Sequence, residues 1–212
     1  MAYDRKDRFY RKAKEKGFKS RAAFKLIEIN KKFNLMRPGM QVIDLGCAPG
    51  GWLQVIAQEI GPSGKVVGVD LEPIHGIVER NLCLIQGDIN QQPIQRRISA
   101  ELGRRVDLVV SDMAPNLSGV KFQDHYNSYL LAQMALHCCS LFLRERGGFV
   151  VKIFPGEELE NYKKALKERF AKVQTFLPEA TRKTSIDMYL ISSGFIPPKT
   201  ETPTAISAVG AS

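Results

Sequence analysis

From residue 41 onward the chain alternates short apolar runs with amphipathic stretches. That alternation restricts it to a mostly parallel sheet with helices on both faces. Residues 41–45 (QVIDL), 65–70 (KVVGVD), 81–88 (NLCLIQGD), 105–112 (RVDLVVSD), 148–154 (GFVVKIF), 172–178 and 185–193 read as strands. Residues 50–60, 92–102, 124–143 and 157–169 read as helices, and a short irregular crossover joins the second and third strands. Only about seven residues separate the last two strands, too few for a crossover helix, so that pair is predicted to be antiparallel. The expected sheet is therefore α/β, seven-stranded and mostly parallel, ending in an antiparallel hairpin.

A chain of 212 residues, 44% hydrophobic and 25% charged, suits one globular core and excludes fibrous and disordered classes. No apolar run reaches the length of a membrane span. Charges stand where a signal peptide needs its apolar core, so a soluble cytoplasmic protein is expected. Cys47, Cys83, Cys138 and Cys139 form no C-x-x-C, and His75, His125 and His137 lack zinc-ligand spacing. Four reduced thiols and no metal are expected.

Residues 3–36 read as one or two helices, with an apolar stripe of Ala22, Ala23, Leu26, Ile27 and Ile29 and with Phe24 and Phe33 nearby. Gly17 is placed to break the first helix and Ser20 to cap the second. Residues 1–37 hold 13 basic against four acidic side chains, whereas the rest of the chain holds 18 of each. The whole formal excess of +9 thus sits in the first segment, which points to a polyanion, most simply nucleic acid. Arg5, Lys6, Arg8, Arg11, Lys12, Lys14, Lys19 and Arg21 are the candidate phosphate contacts, with Phe9, Tyr10 and Phe18 available to stack on bases. The organisation read from these features is a basic helical extension over 1–37, a main α/β domain over 38–195, and a Pro-, Thr- and Ser-rich tail over 196–212 expected to be disordered.

Four constellations carry the chemistry. Asp44-Leu-Gly46-Cys-Ala-Pro49-Gly50-Gly51-Trp52 follows the first strand and opens a helix, where glycines let a ligand approach the backbone. Its spacing misses the G-x-G-x-x-G pyrophosphate fingerprint, and Asp44 would repel a pyrophosphate, which argues against a dinucleotide oxidoreductase. Asp70 and Asp88 end the next two strands; the first suits ribose hydroxyls and the second an adenine amino group. A nucleoside bearing a positive charge fits these three carboxylates, which is S-adenosylmethionine. Ser111-Asp112-Met113-Ala114-Pro115-Asn116 ends the fourth strand. Lys152 lies inside the apolar fifth strand, where a charge is costly unless paired. Adjacent strands should set Asp112 and Lys152 side by side.

With Ser20-Arg-Ala-Ala-Phe-Lys25-Leu, Gly87-Asp88 and Val151-Lys152-Ile-Phe-Pro-Gly156 added, the chain over residues 3–195 resembles the FtsJ/RrmJ family of ribosomal RNA 2′-O-methyltransferases. The resemblance implies a Rossmann-like S-adenosylmethionine-dependent methyltransferase fold. It implies cofactor contacts from Gly50, Trp52, Asp70, Asp88 and Asp112. It also implies a catalytic Lys-Asp-Lys-Glu set, of which Lys25, Asp112 and Lys152 are the first three. The fourth falls at Asp187-Met188-Tyr189, a carboxylate one methylene shorter than the family's Glu, which leaves its role open. A uridine ribose in large-subunit ribosomal RNA is the implied substrate, with transfer RNA and a non-catalytic RNA-binding assembly factor as the alternatives. On this reading Lys152 takes the 2′-hydroxyl proton, because burial and a neighbouring cation favour the neutral amine that can do so. Lys25 supplies that cation and steadies the developing alkoxide, while Asp112 holds the amine in place.

Overall fold

The computed structural model describes residues 8–77, 79–181 and 187–198. Arg5, Lys6 and the tail beyond residue 198 lie outside the described residues, as do residues 185 and 186 of the expected last strand. The N-terminal segment forms α1 (Arg8–Glu15) and α2 (Ala22–Phe33). Gly17, at φ +73°, ends α1: its N–H donates to Lys14 and that of Phe18 to Ala13, a pairing that satisfies the last carbonyls of the helix. Ser20 does not cap α2. The residue before the helix is Arg21, with no side-chain capping bond, and Ser20 instead lies against Gly51.

The remaining elements are β1 (Gln41–Leu45), α3 (Gly51–Ile60), β2 (Lys65–Asp70), β3 (Leu82–Gln86), α4 (Gln92–Leu102), β4 (Val106–Ser111), α5 (Lys121–Phe142), β5 (Leu143–Ile153), α6 (Leu159–Arg169), β6 (Phe170–Phe176) and β7 (Met188–Phe195). The sheet runs in the order β3-β2-β1-β4-β5-β7-β6. The pairs β1–β2, β1–β4, β2–β3 and β4–β5 are parallel, and β7 runs antiparallel to both β5 and β6. This is the expected seven-stranded sheet with its antiparallel C-terminal hairpin.

Several boundaries differ from the sequence reading by a few residues, and two of them have a visible local cause. β5 starts five residues earlier than the apolar run suggests. Buried Leu143 pairs with Val106, the intervening residues bulge out, and pairing resumes at Gly148 with Leu108. Arg144 fastens the bulge through Nε, 2.7 Å from Asp107 Oδ1. α5 starts at Lys121 rather than 124, because the Asp124 carboxylate reaches back to accept from the Ser118 and Gly119 N–H groups and the Ser118 hydroxyl.

Successive strand residues point to opposite faces. Ile43, Val67, Val109 and Phe149 pack under α4, α5 and α6, whereas Val42, Val66, Leu108 and Val150 pack under α2 and α3. α2 is therefore part of the core cover, with Ala23, Leu26 and Ile29 buried. α1 rests on α2 through Phe9, Ala13 and Phe24. All four thiols are free, and three of them are buried. The parallel strands β1, β2, β4 and β5 deliver their C-terminal residues to one edge, where the candidate site residues lie.

Candidate active site

β1, β2, β3 and β4 end around a cavity of about 470 Å3. Its lining includes Gly46, Asp70, Asp88, Asp112, Glu72 and Met113, together with apolar Leu71, Ile89, Leu131 and Met134. Four carboxylates thus face it, and none of its lining residues is Lys, Arg or His. Such a cavity repels phosphate and attracts a cation. Asp70 is fixed by two backbone donors: Oδ2 accepts from Ala48 at 2.8 Å and Oδ1 from Glu72 at 2.9 Å. Asp88 Oδ1 accepts from Asn90 at 2.9 Å. Each oxygen keeps a lone pair for a ligand.

Asp44 lies beneath this floor rather than in the lining, fully buried, with neither carboxylate oxygen hydrogen-bonded. Burial pushes its carboxyl well above the usual range, and the charges of Asp112 and Asp70 add to the shift. The same burial, with Asp44 and Asp70 nearby, drives the Cys47 thiol far above the ordinary thiol range, so that sulfur is inert packing. Pro49 is exposed; Gly50 is packed under Ile77, and Gly51 against Ser20. Trp52 is buried, donates from Nε1 to the Ala22 carbonyl at 2.9 Å and lies 5.7 Å from the Tyr189 ring. In this arrangement the indole ties α3 to α2.

Beside the cavity four elements bring Lys25, Asp112, Lys152 and Asp187 together as two ion pairs. Lys25 of α2, 8% exposed, sets its Nζ 2.5 Å from Asp187 Oδ2. The shorter carboxylate therefore reaches its lysine. Lys152 of β5, 7% exposed, sets its Nζ 3.1 Å from Asp112 Oδ1 and donates to the Asp112 carbonyl at 2.5 Å. The sequence reading placed Lys25 as a second cation acting on Lys152; the structure gives each ammonium a carboxylate.

The sequence gives Tyr189 no role beyond its place in the Asp-x-Tyr pattern. It stands opposite Lys152 in the β5–β7 register, is fully buried, and donates its hydroxyl to Asp112 Oδ1 at 2.7 Å. Lys25 Nζ lies 5.6 Å above its ring. Burial, then the Asp112 carboxylate, hold the phenol well above its ordinary pKa. The available signal was a polar aromatic in an apolar strand, which requires a buried partner.

On the N-terminal segment Arg8, Arg11, Lys12, Lys14 and Lys19 are exposed. Arg21 is half-buried and donates to the Ala180 carbonyl. Phe9 and Phe18 are half-buried, and each packs 5.7 Å from Phe24. Tyr10 remains exposed. Among the described residues no group of three or more His, Cys, Asp or Glu could hold a metal ion, and no helix is long and apolar enough to cross a membrane.

Residues 18–195 match the family model described as FtsJ-like methyltransferase. Ribosomal RNA large subunit methyltransferase E of Methanothrix thermoacetophila is 47% identical over 194 residues, covering 90% of this chain and 73% of its own. The protein of the same name from Alkalilimnicola ehrlichii is 45% identical over 190 residues, covering 89% and 90% respectively. A Plasmodium falciparum crystal structure described as a ribosomal RNA methyltransferase superposes with a TM-score of 0.76 at 29% identity, over 85% of this chain and all of that one.

Proposed function

Because the chain belongs to the FtsJ-like methyltransferase family, we propose that it methylates a ribose 2′-hydroxyl of large-subunit ribosomal RNA, on a uridine, with S-adenosylmethionine as donor. The observation that carries the reading is the placement of the Lys152–Asp112 pair beside an acid-lined cavity with no basic residue in its lining. Those residues fit the donor. Asp70 suits the ribose hydroxyls, Asp88 the adenine amino group, and the carboxylates suit a sulfonium. When bound, S-adenosylmethionine supplies a methyl group whose departure leaves a neutral thioether.

The side chains do the rest. Lys152 Nζ accepts the 2′-hydroxyl proton as the oxygen takes the methyl group. The Asp112 carbonyl and carboxylate aim that nitrogen, and Tyr189 aims the carboxylate. Lys25, held by Asp187, places positive charge where the alkoxide develops. Gly50, Gly51 and Trp52 shape the turn that leads from the cavity, and Asp44 supports it from below. The exposed cations Arg8, Arg11, Lys12, Lys14 and Lys19, with Arg21 and the terminal Arg5 and Lys6, hold the RNA phosphates. We place the protein in the cytoplasm, with the ribosomal subunits it modifies.

The test is transfer of labelled methyl to free ribosomal RNA, isolated large subunits and transfer RNA, followed by mapping of the modified nucleotide. A 2′-O-methyluridine in large-subunit RNA is expected. Exclusive labelling of transfer RNA would overturn the substrate, and labelling of no RNA at all would overturn the reaction.

A further inference from the structure

A second cleft, of about 250 Å3, opens where β5 leaves the sheet, and Ile153, the residue after Lys152, lines it. One wall is the first turns of α5: Phe122, His125, Tyr126 and Tyr129 share a helix face at spacings of three and four residues. The opposite wall is the β5 exit and the turn into α6, which contribute Phe154, Gly156, Glu157 and Glu158. Phe122 is 64% exposed and Tyr126 is 42% exposed, so neither is there to fill a core. The walls are nonetheless fixed. Ser128 Oγ accepts from the Phe154 N–H at 3.0 Å, and His125 meets the Phe154 ring edge-on at 6.2 Å. Gly156 lets the walls close: a Cβ there would stand 2.8 Å from that of His125.

We infer that this cleft takes an unpaired, amino-bearing base of the RNA, one nucleotide from the ribose presented to Lys152. Aromatic walls stack on a base face. The volume falls below that of sites for drug-sized ligands and suits a single ring system. The lining carries Glu157 and Glu158 and no Lys or Arg, so the cleft turns phosphate away and accepts hydrogen bonds from exocyclic amino groups. Glu158 is held for this, since one of its oxygens already takes the Asn161 amide at 2.9 Å. Phe154 follows Lys152 by two residues, just past the end of β5, which is about 7 Å of chain, the reach of a neighbouring nucleotide. Cations on α1 hold the backbone, and this cleft reads a base.

The inference rests on the proposed reaction only for which ribose is addressed, and its first test needs no turnover. The 15N-labelled protein is titrated with AMP, CMP and UMP, with ribose 5-phosphate as the base-less control. Amide shifts at 122–129, 154 and 156–159 are expected with AMP and CMP, weaker with UMP and absent with ribose 5-phosphate. The Phe122→Ala/Tyr126→Ala double variant should lose them while keeping its melting temperature rise with S-adenosylmethionine. In methyl transfer to unmodified large subunits the double variant should raise KM roughly tenfold with kcat little changed, and Phe122→Trp should restore it. Equal shifts with ribose 5-phosphate, no nucleotide shifts at the cleft, or an unchanged KM would each overturn the inference. Failure of every RNA to accept a methyl group would instead count against the proposed reaction, with the titration still deciding the cleft.

Discussion

Replacing Tyr189 by Phe removes one oxygen from the site and almost nothing else. The ring stays, because it is packed against Trp52 and lies beneath Lys25 Nζ. What disappears is a 2.7 Å hydrogen bond to Asp112 Oδ1, the same oxygen that stands 3.1 Å from Lys152 Nζ. A hydrogen bond to a charged group contributes about 1.5–3 kcal/mol. If all of it served the transition state, kcat would fall roughly 10- to 150-fold. The Asp112 oxygen keeps Lys152 and the Lys152 ammonium keeps the Asp112 carbonyl, so the lower end, about tenfold, is the expectation. KM for RNA should not move, and the melting temperature should fall by no more than about 2–4 °C per kcal/mol lost.

The assay is single-turnover transfer of labelled methyl, with melting curves in parallel. A kcat within twofold of the parent together with a lowered melting temperature would make Tyr189 a packing residue and refute the positioning role. The pH dependence gives a second check. The phenol pKa is raised in the fold by burial first and then by Asp112. Its contribution to stability is therefore complete below the unfolded value of about 10 and is lost as pH rises towards the folded one. Tyr189 stays a donor throughout the neutral range, so any activity limb below pH 9 should survive in Tyr189→Phe.

Lys152→Ala should abolish methyl transfer while leaving the S-adenosylmethionine-induced rise in melting temperature nearly intact, and Lys152→Arg should also be poor because Arg cannot accept a proton near neutrality; near-parental turnover in either would remove Lys152 as the base. Asp44 is raised by burial and then by Asp112 and Asp70, so its contribution is present below about pH 3.9 and is lost as pH rises. Asp44→Asn should therefore stabilise the ligand-free protein at pH 7 but not at pH 3 in denaturant titrations, and equal effects at both would contradict a carboxyl whose pKa is raised by burial. Replacing Arg8, Arg11 and Lys12 together by Ala should lower RNA affinity and flatten its salt dependence by roughly one unit of slope per lost phosphate contact. An unchanged slope would move the RNA path away from α1.

Strand positions were legible because β1, β2, β4 and the core of β5 are buried on both faces and read as continuous apolar runs. The start of β5 was not, because Leu143 pairs ahead of a polar bulge that looks like a loop. The pairing of Asp112 with Lys152 followed from strand adjacency alone. The pairing of Lys25 with Asp187 did not, since α2 and β7 meet only through tertiary packing, and a motif names residues without saying which carboxylate each cation takes. Aromatic roles were the least legible. Trp52, Phe9 and Phe18 have the chemistry of ligand contacts, yet Trp52 is buried between elements and the two phenylalanines pack on Phe24. Stacking on a base and packing in a core use the same apolar ring, and only exposure separates them.

Charge in the described residues is sorted by ligand. The cofactor cavity is acidic because its expected occupant is a cation, and α1 is basic because its expected occupant is a polyanion. The proposed reacting set balances two ammonium groups against two carboxylates. These roles do not divide at residue 37, where the charge count divides. α1 buries only Ala13 and can serve phosphate binding alone. α2 buries Leu26 and Ile29 completely, worth about 3–6 kcal/mol together, against a typical whole-protein stability of about 5–15 kcal/mol. Its Glu28 also accepts from the Glu179 and Ala180 N–H groups, and its Ala22 carbonyl accepts from Trp52. The helix that carries Lys25 is thereby locked to the chain leading into β7, where Asp187 immediately precedes the strand and Tyr189 lies in it. The basic segment thus divides into α1, the proposed surface for RNA, and α2, a helix packed on the sheet that positions one half of the proposed reacting group.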